Sequence, residues 1–267
     1  MKALTAIGII LTVATAAHAQ HQTQSLTLGQ TFTINSEATG ETRTINVYSP
    51  VGLSADAPPL PVLYMPDGGM AEDFLHVAGL VQVLTGNGGM RPVLLVGIEN
   101  TERRRDMTGP TENDEDRKIA PRVGGSAAFR RFIRDELMPE IARRYRTTDE
   151  TAIVGESLAG LFVVETCLTE PRLFNTCIAI DPSLWWNDAA LVQDGPKRAA
   201  AAGGPRLWMA VSAEPAIAKD AKTFVERARA AGAGTRLTLT EFPDEQHATI
   251  YHPAALRAFR ELFTPAR

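Results

Sequence analysis

From residue 30 onward the chain repeats one pattern: a short apolar run, a break rich in Gly, Pro, Asn or Asp, then a longer stretch with apolar residues every three or four positions. The runs at 61–66, 92–98, 151–155, 177–181, 206–212 and 236–242 are nearly continuous in apolar residues, which predicts strands buried on both faces. Ahead of them, 31–35 and 42–49 flank the turn-rich "SEATGE" and predict a β-hairpin. Helical periodicity marks 71–84, 126–145, 158–169, 216–232 and 253–263. In the second of these Phe129, Phe132, Ile133, Leu137 and Ile141 form one stripe, with Ser126 as N-cap.

Strands alternating with helices imply a mostly parallel sheet covered by helices on both faces. With an antiparallel N-terminal hairpin in front, the count is eight strands, the arrangement expected of an α/β-hydrolase. No repeat, low-complexity tract or long linker divides the chain, so residues 20–267 read as a single domain. Residues 1–19 stand apart. Lys2, an apolar stretch and Ala17-His18-Ala19 predict a signal peptide, too short to span a hydrocarbon core of roughly 30 Å, with the mature chain starting at Gln20. The expected location is therefore periplasmic or secreted. No lipidation cysteine follows the cleavage site, and no membrane association is expected.

Composition narrows the function further. Without Lys2 the formal charge falls from −4 to −5, which argues against nucleic-acid binding through overall charge. Cys167 and Cys177 are compatible with a disulfide in an oxidising compartment and equally with two buried thiols. The sparse histidines form no metal-ligand spacing, and neither a phosphate loop nor a dinucleotide fingerprint is present, so no metal and no cofactor are expected. Nothing in the sequence bears on oligomeric state.

The chemistry concentrates at "TAIVGESLAGLFVVE", where the fifth strand runs straight into a helix through Gly-Glu-Ser. A nucleophile on such a strand-to-helix turn needs small residues two places before and after it, and Gly155 and Ala159 flank Ser157. A serine hydroxyl needs a base. His247, in the loop after the last strand, is the expected one; His252 is the alternative. The acid that orients the base is expected after the seventh strand, at Glu214, with Asp220 as alternative, a backbone carbonyl as another, and Asp244 assigned to a Pro-Asp turn. Two donors must face a tetrahedral oxyanion. One is the N–H of Leu158, and the other comes from Gly68 or Gly69 in "YMPDGGM".

Those motifs resemble the esterase-D-like α/β-hydrolases, in the branch that contains enterochelin (siderophore trilactone) esterases. The similarity is carried by "LYMPDGG", "VGIENTERRRDMTGP", "GGSAAFRRFIRDELMPEIARRYRT", "VGESLAGLFVVE", "IAIDPSLWWN" and the His247 loop. It implies that Ser157 is the nucleophile and His247 the base. The residue before the serine is often His in that family, where this chain has Glu156. The implied activity is an exported carboxylic-ester hydrolase working through an acyl-enzyme on a small-molecule ester, with siderophore esters as the implied class. Acyl transfer to a sugar or alcohol, or a silent binding protein on the same scaffold, are the alternatives.

Four further residues are expected at the pocket. Arg103 and Arg104 would attract an anionic substrate, whereas Arg105 is expected to brace its loop through Asp106. Trp185 and Trp186 follow the sixth strand and supply either an aromatic wall or core. The polar stretch 110–125 is expected to form a mobile rim or small lid.

Overall fold

The structure, a computed structural model, describes residues 24–50, 56–201 and 204–265; the expected signal peptide lies outside them. In chain order the elements are β1 (Gln30–Ser36), β2 (Glu41–Tyr48), β3 (Leu60–Pro66), α1 (Phe74–Gly86), β4 (Leu94–Ile98), α2 (Arg103–Asp106), α3 (Asp114–Arg117) and α4 (Ser126–Arg131). A π-helical segment (Phe132–Leu137) leads into α5 (Met138–Arg144), β5 (Thr147–Glu156), α6 (Leu158–Thr169), β6 (Thr176–Ile180), α7 (Trp186–Ala200), β7 (Arg206–Val211) and α8 (Pro215–Ala230). A single 3-10 turn (Gly234–Arg236), β8 (Leu237–Glu241) and α9 (Tyr251–Leu262) complete it.

One eight-stranded sheet runs in the order β1-β2-β4-β3-β5-β6-β7-β8. β2 pairs antiparallel with both β1 and β4, and all other neighbours are parallel. Side chains alternate between its two faces, so the apolar runs split into two cores. Val62, Tyr64, Ile153, Cys177, Ala179 and Met209 pack under α4 to α8, against Phe129, Phe132, Phe162 and Phe224. Leu63, Met65, Val154, Ile178, Ile180 and Trp208 meet α1 and α9, against Phe74, Val77, Phe259 and Phe263. Helix α6 is buried almost all round, which suits the helix that follows the central strand. The resulting fold is that of an α/β-hydrolase, with β5, β6 and the loop after β8 meeting at the C-terminal edge of the sheet.

Several expectations are refined. The helix expected over 126–145 is one continuous rod, but its middle turn is π-helical. Helix α7 is absent from the periodicity reading because Gly195 and Pro196 sit inside it and few of its residues are buried. Asn187, Asp188 and Ala189 at its start have positive φ. They receive the 110–125 stretch, which is anchored instead of forming a free lid. Asp116 Oδ2 accepts from Thr111 Oγ1 and Asn187 N, each at 2.7 Å, and Asn113 donates to Asp188 at 2.7 Å. Arg105 braces its loop as expected, with Nε 2.6 Å from Asp106.

Cys167 on α6 and Cys177 on β6 are joined, their Cα atoms 6.6 Å apart. The bridge staples the helix behind Ser157 to the neighbouring strand. Reduction, or the double substitution Cys167→Ala/Cys177→Ala, is expected to cost about 2–3 kcal/mol through the freed unfolded chain. Denaturant titration with and without reductant measures this, and superimposable midpoints would refute it.

Candidate active site

Ser157 occupies the junction between β5 and α6 with φ 61° and ψ −120°, a backbone conformation that non-glycine residues rarely adopt. Neighbouring atoms fix it there. The Ser157 N–H donates to Ile180 O at 3.0 Å, and its carbonyl accepts from Leu161 N at 2.9 Å and Ser183 N at 3.0 Å. Gly155 is required by the same turn, since a Cβ there would lie 2.7 Å from the Ala159 backbone. The hydroxyl is thereby presented above the sheet edge, at the N-terminus of a helix whose first amides have no intrahelical acceptor.

His247, in the loop between β8 and α9, meets that hydroxyl with Nε2 3.1 Å from Ser157 Oγ. On its other side Nδ1 lies 2.9 Å from Asp181 Oδ2. A carboxylate only accepts, so Nδ1 carries the proton and Nε2 presents its lone pair to the serine hydroxyl. The carboxyl of Asp181 is fully buried and takes two more donors, Ser212 N at 2.7 Å and Ser212 Oγ at 2.6 Å. The hydrogen bond to Asp181 holds the His247 pKa above the usual histidine value, with Glu156 and Glu214 adding to it.

The carboxyl that meets His247 therefore comes from the end of β6, and not from the Glu214 expected after β7. Glu214 is the N-cap residue of α8, half-buried, and makes no hydrogen bond to His247. Asp220 lies along α8, beyond the loop, and the exposed Asp244 sits in the turn before His247, as expected. β6 is the immediate neighbour of β5, so even a short aspartate at its tip reaches the ring; a left-handed φ of 43° aims it. "IAIDPS" carried the signal: an aspartate closing an apolar strand next to the serine strand, followed at once by proline. His252 is exposed and stacks on His76 at 4.9 Å, away from the serine.

Neither glycine of the Asp-Gly-Gly loop offers a free amide. Gly68 N–H donates to Ile98 O at 2.9 Å, and a Cβ at Gly68 would overlap the backbone of Gly97 and Ile98 at 2.2–2.4 Å. Its role is close packing between β3 and β4. Gly69 N–H donates to Glu72 Oε2 at 2.7 Å, while Glu72 N donates to Gly69 O at 3.0 Å, a reciprocal capping arrangement. Leu158 N–H, at the first position of α6, is the donor poised beside Ser157.

Arg103 grips Asp67 in a bidentate pair, 2.7 and 2.9 Å, so its charge is largely spent on holding the loop. Arg104 is exposed and makes no ion pair among the described residues. With Arg103 and Arg122 it lines an open groove of about 320 Å³. Trp186 is core, its Nε1 donating to Gly109 O at 3.0 Å, whereas Trp185 is 39% exposed and available as a wall. Among the described residues no group of three His, Cys, Asp or Glu is arranged to hold a metal ion, and no helix is long and apolar enough to cross a membrane.

A serine, a histidine and a buried aspartate in hydrogen-bonded series on an α/β sheet define the class of serine hydrolase folds. The model of the Esterase family matches residues 36–239, and the chain belongs to that family. It is 35% identical over 167 residues to the ferri-bacillibactin esterase BesA of Bacillus subtilis, covering 55% of this chain and 56% of the relative. It is 29% identical to the siderophore triacetylfusarinine C esterase of Aspergillus fumigatus, covering 51% and 48%. The matched region spans about half the length of these relatives. Among solved structures, an IroE-like serine hydrolase from Shewanella oneidensis superposes with TM-score 0.79 at 26% identity, covering 88% of this chain and 80% of that one. The enterobactin esterase FES of Shigella flexneri superposes with TM-score 0.73 over 89% and 59%; at 18% identity that likeness concerns the fold alone.

A direct check of the ring's surroundings is an NMR titration of His247. The expected pKa lies above that of free histidine, and Asp181→Asn lowers it, because the dominant partner of the charged ring is removed. An unchanged titration in Asp181→Asn, or a larger effect of Glu214→Gln, would contradict the assignment.

Proposed function

We propose that the protein is an exported serine esterase that hydrolyses carboxylic esters of siderophore type through an acyl-enzyme. One observation carries the reading: Ser157 Oγ, on a left-handed turn, lies 3.1 Å from an imidazole whose far nitrogen is held by a buried aspartate.

From this arrangement the steps follow. His247 Nε2 removes the Ser157 proton as Oγ attacks the ester carbonyl. The carbonyl oxygen becomes an oxyanion facing Leu158 N–H and the positive end of α6. Asp181 stabilises the imidazolium and keeps its tautomer. The imidazolium then gives its proton to the departing alcohol, leaving Ser157 acylated. Water enters, loses a proton to His247, and attacks the acyl carbon; proton return to Oγ releases the acid and restores the serine. A second oxyanion donor at Gly69 requires the Glu72 carboxylate to leave that amide first.

Siderophore esters as the substrate class rest on the similarity to BesA, a ferri-bacillibactin esterase, and to the triacetylfusarinine C esterase. Arg104, exposed and without an ion pair among the described residues, and the exposed Trp185 would each suit an anionic aryl-bearing ligand. Export is supported by the Lys2-to-Ala19 pattern and by the Cys167–Cys177 bridge.

A fluorophosphonate probe is expected to label the wild-type protein once, at Ser157, and not Ser157→Ala. Asp181→Asn should lower kcat/KM for an aryl ester by roughly 10³–10⁴-fold, while Glu214→Gln changes it little. An iron-loaded catecholate trilactone should be turned over alongside the aryl ester. Folded wild-type protein that takes no probe would overturn the hydrolase reading, and turnover of aryl esters alone would overturn the siderophore assignment.

A further inference from the structure

The carboxyl of Glu156, immediately before the serine, has no part in the relay above. It closes β5, mostly buried, with Oε1 3.3 Å from His247 Nε2, the nitrogen that also meets Ser157 Oγ. Two oxygens thus share one ring nitrogen while Asp181 holds the other.

The consequences differ between the two charge states of the ring. With Nε2 unprotonated, an ionised Glu156 oxygen sets lone pair against lone pair at short range. Once Nε2 takes the serine proton, the same contact becomes an ion pair. The carboxylate therefore disfavours the resting ring and favours the charged ring that exists only while a tetrahedral species forms.

Other groups facing this point are already engaged. Arg103, from α2, is held by Asp67 at the end of β3. Asp181, at the tip of β6, is held by Ser212. Asp67, Asp181 and Arg103 act on Glu156 only through space, and burial is the main cause that lifts its pKa to about 7. Asp73, just before α1, is coupled through space to Asp67, the half-buried Tyr251 of α9 is coupled to Asp73, Asp67 and Glu156, and Glu214, before α8, acts on the ring through space. Among the described residues His247 is the only basic side chain within ion-pair distance of Glu156.

We infer that Glu156 is a positioning residue, a second counter-ion on the Nε2 side of His247, which raises kcat and in return displaces the acidic limb of the kcat/KM profile to higher pH. The inference rests on the hydrolase reading above. Glu156 and His247 then titrate as a coupled pair, with apparent pKa values that belong to both groups. The sign follows: the productive ring is neutral, so removing a nearby negative charge lets it lose its proton at lower pH.

The test compares wild type with Glu156→Gln and Glu156→Asp in aryl-ester kinetics across the pH range. Imidazole NMR titrations in Ser157→Ala and Ser157→Ala/Glu156→Gln accompany it. Glu156→Gln is expected to move the acidic limb to lower pH and to reduce plateau kcat about tenfold, the loss of one charge-assisted contact. Glu156→Asp, which keeps the charge at greater reach, should fall between. The His247 titration should drop when Glu156→Gln is added to Ser157→Ala. Superimposable profiles and titrations in folded, probe-reactive protein would overturn the Glu156 assignment alone. Absence of probe labelling in wild type would overturn the hydrolase reading and the kinetic claim with it, and the NMR comparison would still decide the Glu156–His247 contact.

Discussion

The left-handed backbone of Ser157 is the constraint on which the site depends. A serine at φ 61° is costly, and the fold holds it by closing every escape. Gly155 lets Ala159 come within contact, Ile180 accepts the serine amide, and Leu161 and Ser183 occupy its carbonyl. The same hydrogen bonds link β5, α6 and the strand-end of β6. Fixing Ser157 thus also fixes Asp181 beside it, and the Cys167–Cys177 bridge between α6 and β6 reinforces the junction from behind.

Around this turn the charges are unevenly spent. Three carboxylates, Asp67, Glu156 and Asp181, lie near one imidazole and one guanidinium. Arg103 is consumed by Asp67 and His247 by Asp181. Arg104, next to Arg103 in the chain, is exposed and without an ion pair among the described residues, and the side chains around the serine are mainly acidic.

Much of this was legible in the chain. Continuous apolar runs marked the six parallel strands because both of their faces are covered, and the break at Gly155-Glu156-Ser157 marked the serine turn. The histidine was placed by topology alone. Asp181 is not legible as the partner of His247 because a strand-end aspartate followed by proline looks like any turn, and only the β5–β6 adjacency brings it to the ring. One of the two glycines after β3, Gly68 or Gly69, is expected to lend an amide, yet both amides serve packing and capping, a distinction made by Ile98 and Glu72. Helix α7 went unseen since Gly195 and Pro196 erase its periodicity, although Gly195 lies where a Cβ would press on Leu168 and Phe224 at 2.9 Å.

A crystal structure of the protein after reaction with an organophosphonate tests the central claim most directly. The account predicts phosphorus bonded to Ser157 Oγ, the phosphoryl oxygen facing Leu158 N–H, and the His247 ring still bridged to Asp181. An unmodified Ser157, or a ring turned away from Asp181 with another carboxyl on Nδ1, would contradict it.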